Sequence, residues 1–83
     1  MSNRVLIWTI SDCGYCDDLK EWLRDHRVAY DEKVIGFDEE SWRELDRRMR
    51  GKLQGVPVME VDGEFVEGFD LEKVEKLIKK ILP

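Results

Sequence analysis

Residues 4–26 join two hydrophobic periodicities with almost no break between them, and that junction limits the fold more than any other part of the chain. "RVLIWT", Arg4 to Thr9, is a β-branched and aromatic run closed by Ser11-Asp12, so it reads as a buried strand. From Cys16 onward, Leu19, Trp22, Leu23 and His26 recur every three to four residues, the stripe of an amphipathic helix. A strand feeding straight into a helix opens an α/β layer structure. "VAYDEKVI", Val28 to Ile35, reads as a second strand; Glu39 to Arg50, with Trp42, Leu45 and Met49 on one face, reads as a second helix stopped at Gly51. "PVMEVDGEFVEG" reads as two short strands turning at Asp62-Gly63, the strongest hairpin signal in the chain. Asp70 then caps a last helix with the stripe Leu71, Val74, Leu77, Ile78 and Ile81. The expected order is β-α-β-α-β-β-α. Without internal repeats, linkers or low-complexity segments, it is expected to form a single domain over 1–83.

Composition narrows the classes of partner. With 83 residues, 42% of them hydrophobic, the chain can bury one modest core and has no room for a second domain. Its charged residues make up 40% and sum to −5, which argues for a soluble protein and against nucleic acid or an anionic membrane as partner. The apolar run Val5 to Ile10 falls far short of the roughly 20 residues that span a bilayer, and no small-residue cleavage site accompanies it. The expectation is a monomer in a reducing, cytoplasmic compartment.

In such a compartment two cysteines are catalytic or metal-binding rather than a structural staple, and a bridge across two residues closes almost no loop. Cys13 and Cys16 stand where the strand gives way to the helix. A helix N-terminus favours a thiolate through its unpaired amides and the positive end of its dipole. Cys16 lies one turn inward on the same face, able to attack a mixed disulfide formed at Cys13. Cys13 is therefore the expected nucleophile and Cys16 the resolving thiol. A structural zinc site finds no second pair of ligands at suitable spacing, since His26 and the acidic residues do not supply one. Two inert core thiols are the other alternative, because free cysteine is often buried. Gly14, which permits close backbone approach, and Tyr15, a half-polar ring at the turn, argue against inertness.

Taken together, the strand ending in "WT", then "CGYC", then "GVP" at Gly55 to Pro57, then "EGFD" at Glu67 to Asp70 resemble a glutaredoxin over the whole chain. The resemblance implies a thioredoxin-like fold, a four-stranded mixed sheet flanked by helices. It implies a cis Val56-Pro57 bond and glutathione as co-substrate, paired with the Val56 backbone like an added strand. Gly68 allows a backbone turn, and the amides of Phe69 and Asp70 form an anion site that, by resemblance, takes the γ-glutamyl carboxylate. Tyr15, Val56, Pro57, Gly68, Phe69 and Asp70 are thus the expected glutathione contacts. Arg43, Arg47, Arg48, Arg50 and Lys52 are the cations nearest in sequence for the glycyl carboxylate.

The implied activity is glutathione-linked reduction of protein disulfides or glutathionylated proteins. Two departures from the family's pattern point elsewhere: Ile10 stands where a lysine is common, and Gly55 where a threonine is common. Asp12, Asp17 and Asp18 add negative charge around the thiols, opposing thiolate formation. These features suit a redoxin fed by thioredoxin reductase that donates electrons to ribonucleotide reductase. A third reading follows from Gly14, which occupies the place of the family's active-site proline. By resemblance, that replacement permits a [2Fe-2S] cluster held between two subunits with glutathione.

Overall fold

The alternation of side chains along Val5–Thr9 (β1) sets the layering. The computed structural model of the chain describes residues 4–36 and 38–81, so the outer ends of the expected 1–83 domain lie outside the described residues. Gly14–Asp25 (α1) follows β1, then Asp31–Val34 (β2), Glu39–Arg48 (α2), Val58–Val61 (β3), Glu64–Glu67 (β4) and Leu71–Lys79 (α3). The order is β-α-β-α-β-β-α, as the sequence patterns required.

The sheet runs β2-β1-β3-β4, with β1 parallel to β2 and antiparallel to β3, and β3 antiparallel to β4. Val5 and Ile7 face Leu19 and Leu23 of α1 and Val74, Leu77 and Ile78 of α3, forming one core layer with Met59, Val61 and Val66. Trp8 faces the other way, against Ile35, Leu45, Met49 and Val58, so α2 covers the opposite face. Each helix buries only its stripe. Burial of a Leu or Ile side chain stabilises by roughly 1.5–3 kcal/mol, and the sheet is held from both sides by such contacts.

Two boundaries and two stripe residues differ from the sequence patterns. Val28 packs into the core below an abrupt turn at Arg27 (φ 56), its amide donating to Leu23 O at 2.9 Å, so β2 begins at Asp31 rather than Val28. The second helix ends at Arg48 because Arg50 itself turns left-handed (φ 58) and Gly51 N–H closes back on Asp46 O at 2.8 Å. His26 and Leu71 are not core members: His26 caps the end of α1 and stacks on Trp22, and Leu71 is exposed.

The strand register gathers one end of the sheet. Trp8 lies opposite Val58, so the chain leaving β1 toward the cysteines passes beside Pro57. Val58 lies opposite Glu67, and Gly68 N–H donates to Pro57 O at 2.7 Å, extending that ladder by one pair. The cysteine loop, the Val56-Pro57 bond and Gly68 therefore share one edge of the molecule.

Candidate active site

Cys13 is the N-cap of α1, in extended backbone (φ −117, ψ 110), directly after Asp12 in the left-handed region (φ 54). That turn re-aims the chain from strand to helix, and Asp tolerates it better than most residues. The Cys16 N–H donates to Cys13 Sγ at 3.1 Å, while Asp17 N–H donates to Cys13 O at 3.1 Å as the first helical bond. The sulfur thus occupies the place an oxygen usually takes at an N-cap, facing the helix amides. The two cysteines form a disulfide, their Cα atoms 5.2 Å apart. Cys16 is buried and Cys13 half-buried, so one sulfur of the pair is shielded and the other accessible.

Beneath the dithiol lies a polar network that the sequence patterns did not reveal. Thr9, 1% exposed, donates its hydroxyl to Glu32 Oε2 at 2.6 Å, and Lys20 Nζ meets the same oxygen at 3.1 Å. The Thr9 hydroxyl first, and then the Lys20 ammonium, hold the Glu32 carboxyl below the usual carboxylate range against partial burial. Glu32 in turn raises Lys20. Lys20 also lies 3.7 Å from Asp17, so one of the three rim aspartates has a cation of its own.

Tyr15 is exposed beside Cys13, and a cleft of about 500 Å³ opens between Ile10, Ser11, Asp12, Gly36 and Trp42. The Val56-Pro57 bond is cis, as the resemblance implied. Val56 is half-buried and neither its N–H nor its C=O takes a hydrogen bond among the described residues. Gly68 (φ 70) makes the expected turn, Phe69 packs on the core and Asp70 caps α3 by accepting from Lys73 N–H at 3.3 Å. The Asp70 carboxylate thus takes the Lys73 amide, one turn into α3 from the Phe69 and Asp70 amides expected to hold an anion.

Glu67, the first residue of "EGFD", has a role that the motif alone does not show. Its Oε2 accepts from Gln54 N–H at 2.7 Å and Gly55 N–H at 3.1 Å, clamping the two residues before Val56. Of the cations expected near the glycyl carboxylate, Arg48 donates from its one Nη2 to both Glu60 oxygens (2.6 and 2.9 Å) and Arg43 lies 3.7 Å from Glu39. Arg47, Arg50 and Lys52 have no ion pair among the described residues. A Cβ added at Gly14 would meet nothing within 4 Å. Among the described residues no group of three or more His, Cys, Asp or Glu could hold a metal ion, so any cluster at Cys13 needs ligands from outside the chain.

The sequence model named Glutaredoxin matches residues 5–66, from the start of β1 into β4. The chain belongs to the glutaredoxin family. Glutaredoxin 1 of Rickettsia conorii is 34% identical over 80 residues, covering 90% of this chain and 78% of the relative. The glutaredoxin-like protein NrdH of Lactococcus lactis is 27% identical over 73 residues, covering 88% and 97%. A crystal structure of a variant of thioredoxin-like protein BC3987 superposes with a TM-score of 0.80 at 29% identity, covering 92% of this chain and 95% of that one. The fold is thioredoxin-like, and this glutaredoxin is a redox protein with its cysteine pair at the end of the first strand. No helix among the described residues is long and apolar enough to cross a membrane.

Proposed function

We propose that this glutaredoxin is a thiol-disulfide oxidoreductase in which Cys13 attacks and Cys16 resolves. The observation that carries the reading is the unequal placement of the two sulfurs: Cys13 half-exposed and facing the Cys16 N–H, Cys16 buried one turn behind it. The Cys13 thiolate attacks one sulfur of a protein disulfide, forming a mixed disulfide and expelling the other sulfur as thiolate. The Cys16 thiolate then attacks Cys13 Sγ, the substrate leaves with its second thiolate, and the Cys13–Cys16 disulfide holds the two-electron deficit. A glutathionylated protein enters the same first step. Two glutathiones restore the dithiol and leave as glutathione disulfide. Tyr15, the free Val56 backbone and the Gly68-Phe69-Asp70 turn are the groups available to orient the tripeptide.

A second reading is favoured by Glu67 and Asp70. One carboxylate takes the Gln54 and Gly55 amides just before the Val56-Pro57 bond, and the other takes the Lys73 amide at the α3 start, so each of the two segments named as glutathione contacts carries a carboxylate. Glutathione is an anion, and an electron donor that docks as a protein avoids this conflict. The NrdH relative from Lactococcus supports a redoxin reduced by thioredoxin reductase and serving ribonucleotide reductase. The test is NADPH oxidation with a disulfide substrate, coupled first through glutathione and glutathione reductase and then through thioredoxin reductase alone. Activity only in the first system supports the glutathione-linked reading, activity only in the second supports the redoxin, and activity in neither removes both.

A further inference from the structure

The outer edge of β4 is open, and its free backbone groups follow from the hairpin. Asp62 (φ 49) and Gly63 (φ 86) are both left-handed, as a two-residue type I′ turn requires, and Val61 and Glu64 flank it. Flanking residues in such a turn exchange both backbone bonds, and hydrogen-bonded pairs alternate along an antiparallel ladder. Glu64 and Val66 thus point their amides at β3, and the Gly68 N–H to Pro57 O bond falls in the same phase. Phe65 and Glu67 are out of phase. Their N–H and C=O groups face away from β3, and among the described residues β4 has no strand on that side.

Cations flank this edge on both faces of the sheet. A cleft of about 580 Å³ runs along it past Arg50, Lys52, Gln54, Phe65, Glu67 and Lys73. A second, of about 400 Å³, shares Phe65 and Lys73 and continues past Lys76, Leu77 and Lys80 on α3. The acidic residues here are already engaged: Glu64 with Lys80 at 2.6 Å, Glu60 with Arg48, Glu67 with the Gln54 and Gly55 amides. Arg50, Lys52 and Lys76 carry no ion pair among the described residues, in a protein whose net charge is −5.

We propose that the β4 edge is a docking strip for an extended acidic segment of a partner protein, which adds as a fifth strand. The backbone of the segment bonds to the N–H and C=O groups of Phe65 and Glu67, and its alternate side chains fall on opposite faces of the sheet. Carboxylates on one face meet Arg50 and Lys52; those on the other meet Lys73 and Lys76. Small apolar side chains between them rest on Phe65 and Leu77. The strip includes neither cysteine and holds for either electron donor, although its Glu67 end adjoins the loop before Val56.

The probe is an acetylated and amidated peptide repeating valine-valine-glutamate-glutamate, which puts both residue types on each face of a strand, titrated into the ¹⁵N-labelled oxidised protein with amide hydrogen exchange as readout. Binding slows exchange at Phe65 and Glu67 about tenfold or more and leaves Glu64 and Val66, already bonded to β3, nearly unchanged. The double substitution Arg50→Glu/Lys52→Glu, both at exposed positions, weakens binding about tenfold, and high salt does the same. A peptide with proline at alternate positions does not bind. Three results overturn the proposal: no protection at Phe65 and Glu67, equal binding of a lysine-for-glutamate peptide, or sedimentation showing that two copies pair through β4. In the first case the lysines only guard an exposed edge against aggregation.

Discussion

The backbone N–H of Cys16 lies 3.1 Å from the sulfur of Cys13, so the residue that carries the second thiol also solvates the first. When Cys13 is a thiolate, that amide and the start of α1 stabilise its charge. When Cys13 is bridged to a substrate, the Cys16 thiol stands within one helical turn of the sulfur it must attack.

The two cysteines are therefore expected to fail differently. Cys13→Ser abolishes thiol-disulfide exchange, because Cys16 is buried and cannot meet a substrate. Cys16→Ser still attacks and accumulates as a stable mixed disulfide, which mass spectrometry of the non-reduced protein detects. A Cys13 variant that still forms mixed disulfides would reverse the assignment.

Glu67 is the second position with a divided prediction. Its carboxylate fixes Gln54 and Gly55, the two residues that lead into Val56. Glu67→Ala removes both acceptors at a half-exposed site, at a stability cost of about 1–2 kcal/mol, and slows exchange with a protein disulfide by roughly tenfold. Glu67→Gln keeps an acceptor and loses the charge. It should restore exchange with protein disulfides and speed glutathione-dependent turnover several-fold at low salt, with the gain shrinking as salt rises. Steady-state rates at two ionic strengths separate the two effects; equal damage from both variants would show that the charge itself is needed.

Much of this arrangement can be read from local pattern, because its parts obey local rules. The Arg4–Thr9 run gives way to a helix at the cysteines, Asp62-Gly63 makes the hairpin, and Asp70 caps α3. What escaped depends on tertiary contact. The left-handed turn at Arg50 that ends α2 at Arg48 leaves no propensity signal, since arginine rarely turns left-handed; the Gly51 N–H to Asp46 O bond stabilises that turn. Val28 has the composition of a strand residue, yet it plugs the core below α1. Glu67 and Glu32 look like surface glutamates in a chain rich in them, and only the fold brings Gln54, Gly55, Thr9 and Lys20 to their oxygens.

The Thr9–Glu32–Lys20 network gives an acid-dependent share of stability. Because Glu32 titrates below its ordinary value of 4.5 when folded, its contribution is complete above that pH and is lost as pH falls through the lower folded value. Asp38, Glu44 and Asp62 are also held low, by Ser41, Lys33 and Arg4 respectively, so acid weakens the fold at several points. Glu32→Gln should lower the urea midpoint near pH 7 and converge with the parent protein as pH falls below 4.5 and through the lower folded value. Thr9→Val, which leaves Glu32 without its hydroxyl donor, should cost about 1–2 kcal/mol near pH 7. Urea midpoints for the three proteins across that range provide the check; parallel curves would mean that Glu32 carries no pH-dependent stability.

The three aspartates around the thiols should not act alike, although they look equivalent in the sequence. Asp17 lies 3.7 Å from Lys20, which offsets its charge, whereas Asp12 directly precedes Cys13 and has no ion pair among the described residues. Asp12→Asn keeps a residue that accepts the left-handed turn at φ 54 and removes the charge. It should raise the thiolate fraction of Cys13 at neutral pH and speed reaction with glutathione disulfide several-fold, on the scale of about 1 kcal/mol or less for one charge at a partly exposed site. Asp17→Asn should change the rate less, since it also frees Lys20 to bind Glu32 alone. Adding Ile10→Lys to Asp12→Asn should increase the gain, and the whole effect should shrink with salt. Thiolate absorbance against pH and second-order rates at low and high ionic strength measure both quantities. If Asp12→Asn changes neither, its carboxylate points away from the sulfur and serves only the turn, and the acidic rim gives no reason for this glutaredoxin to prefer a protein electron donor over glutathione.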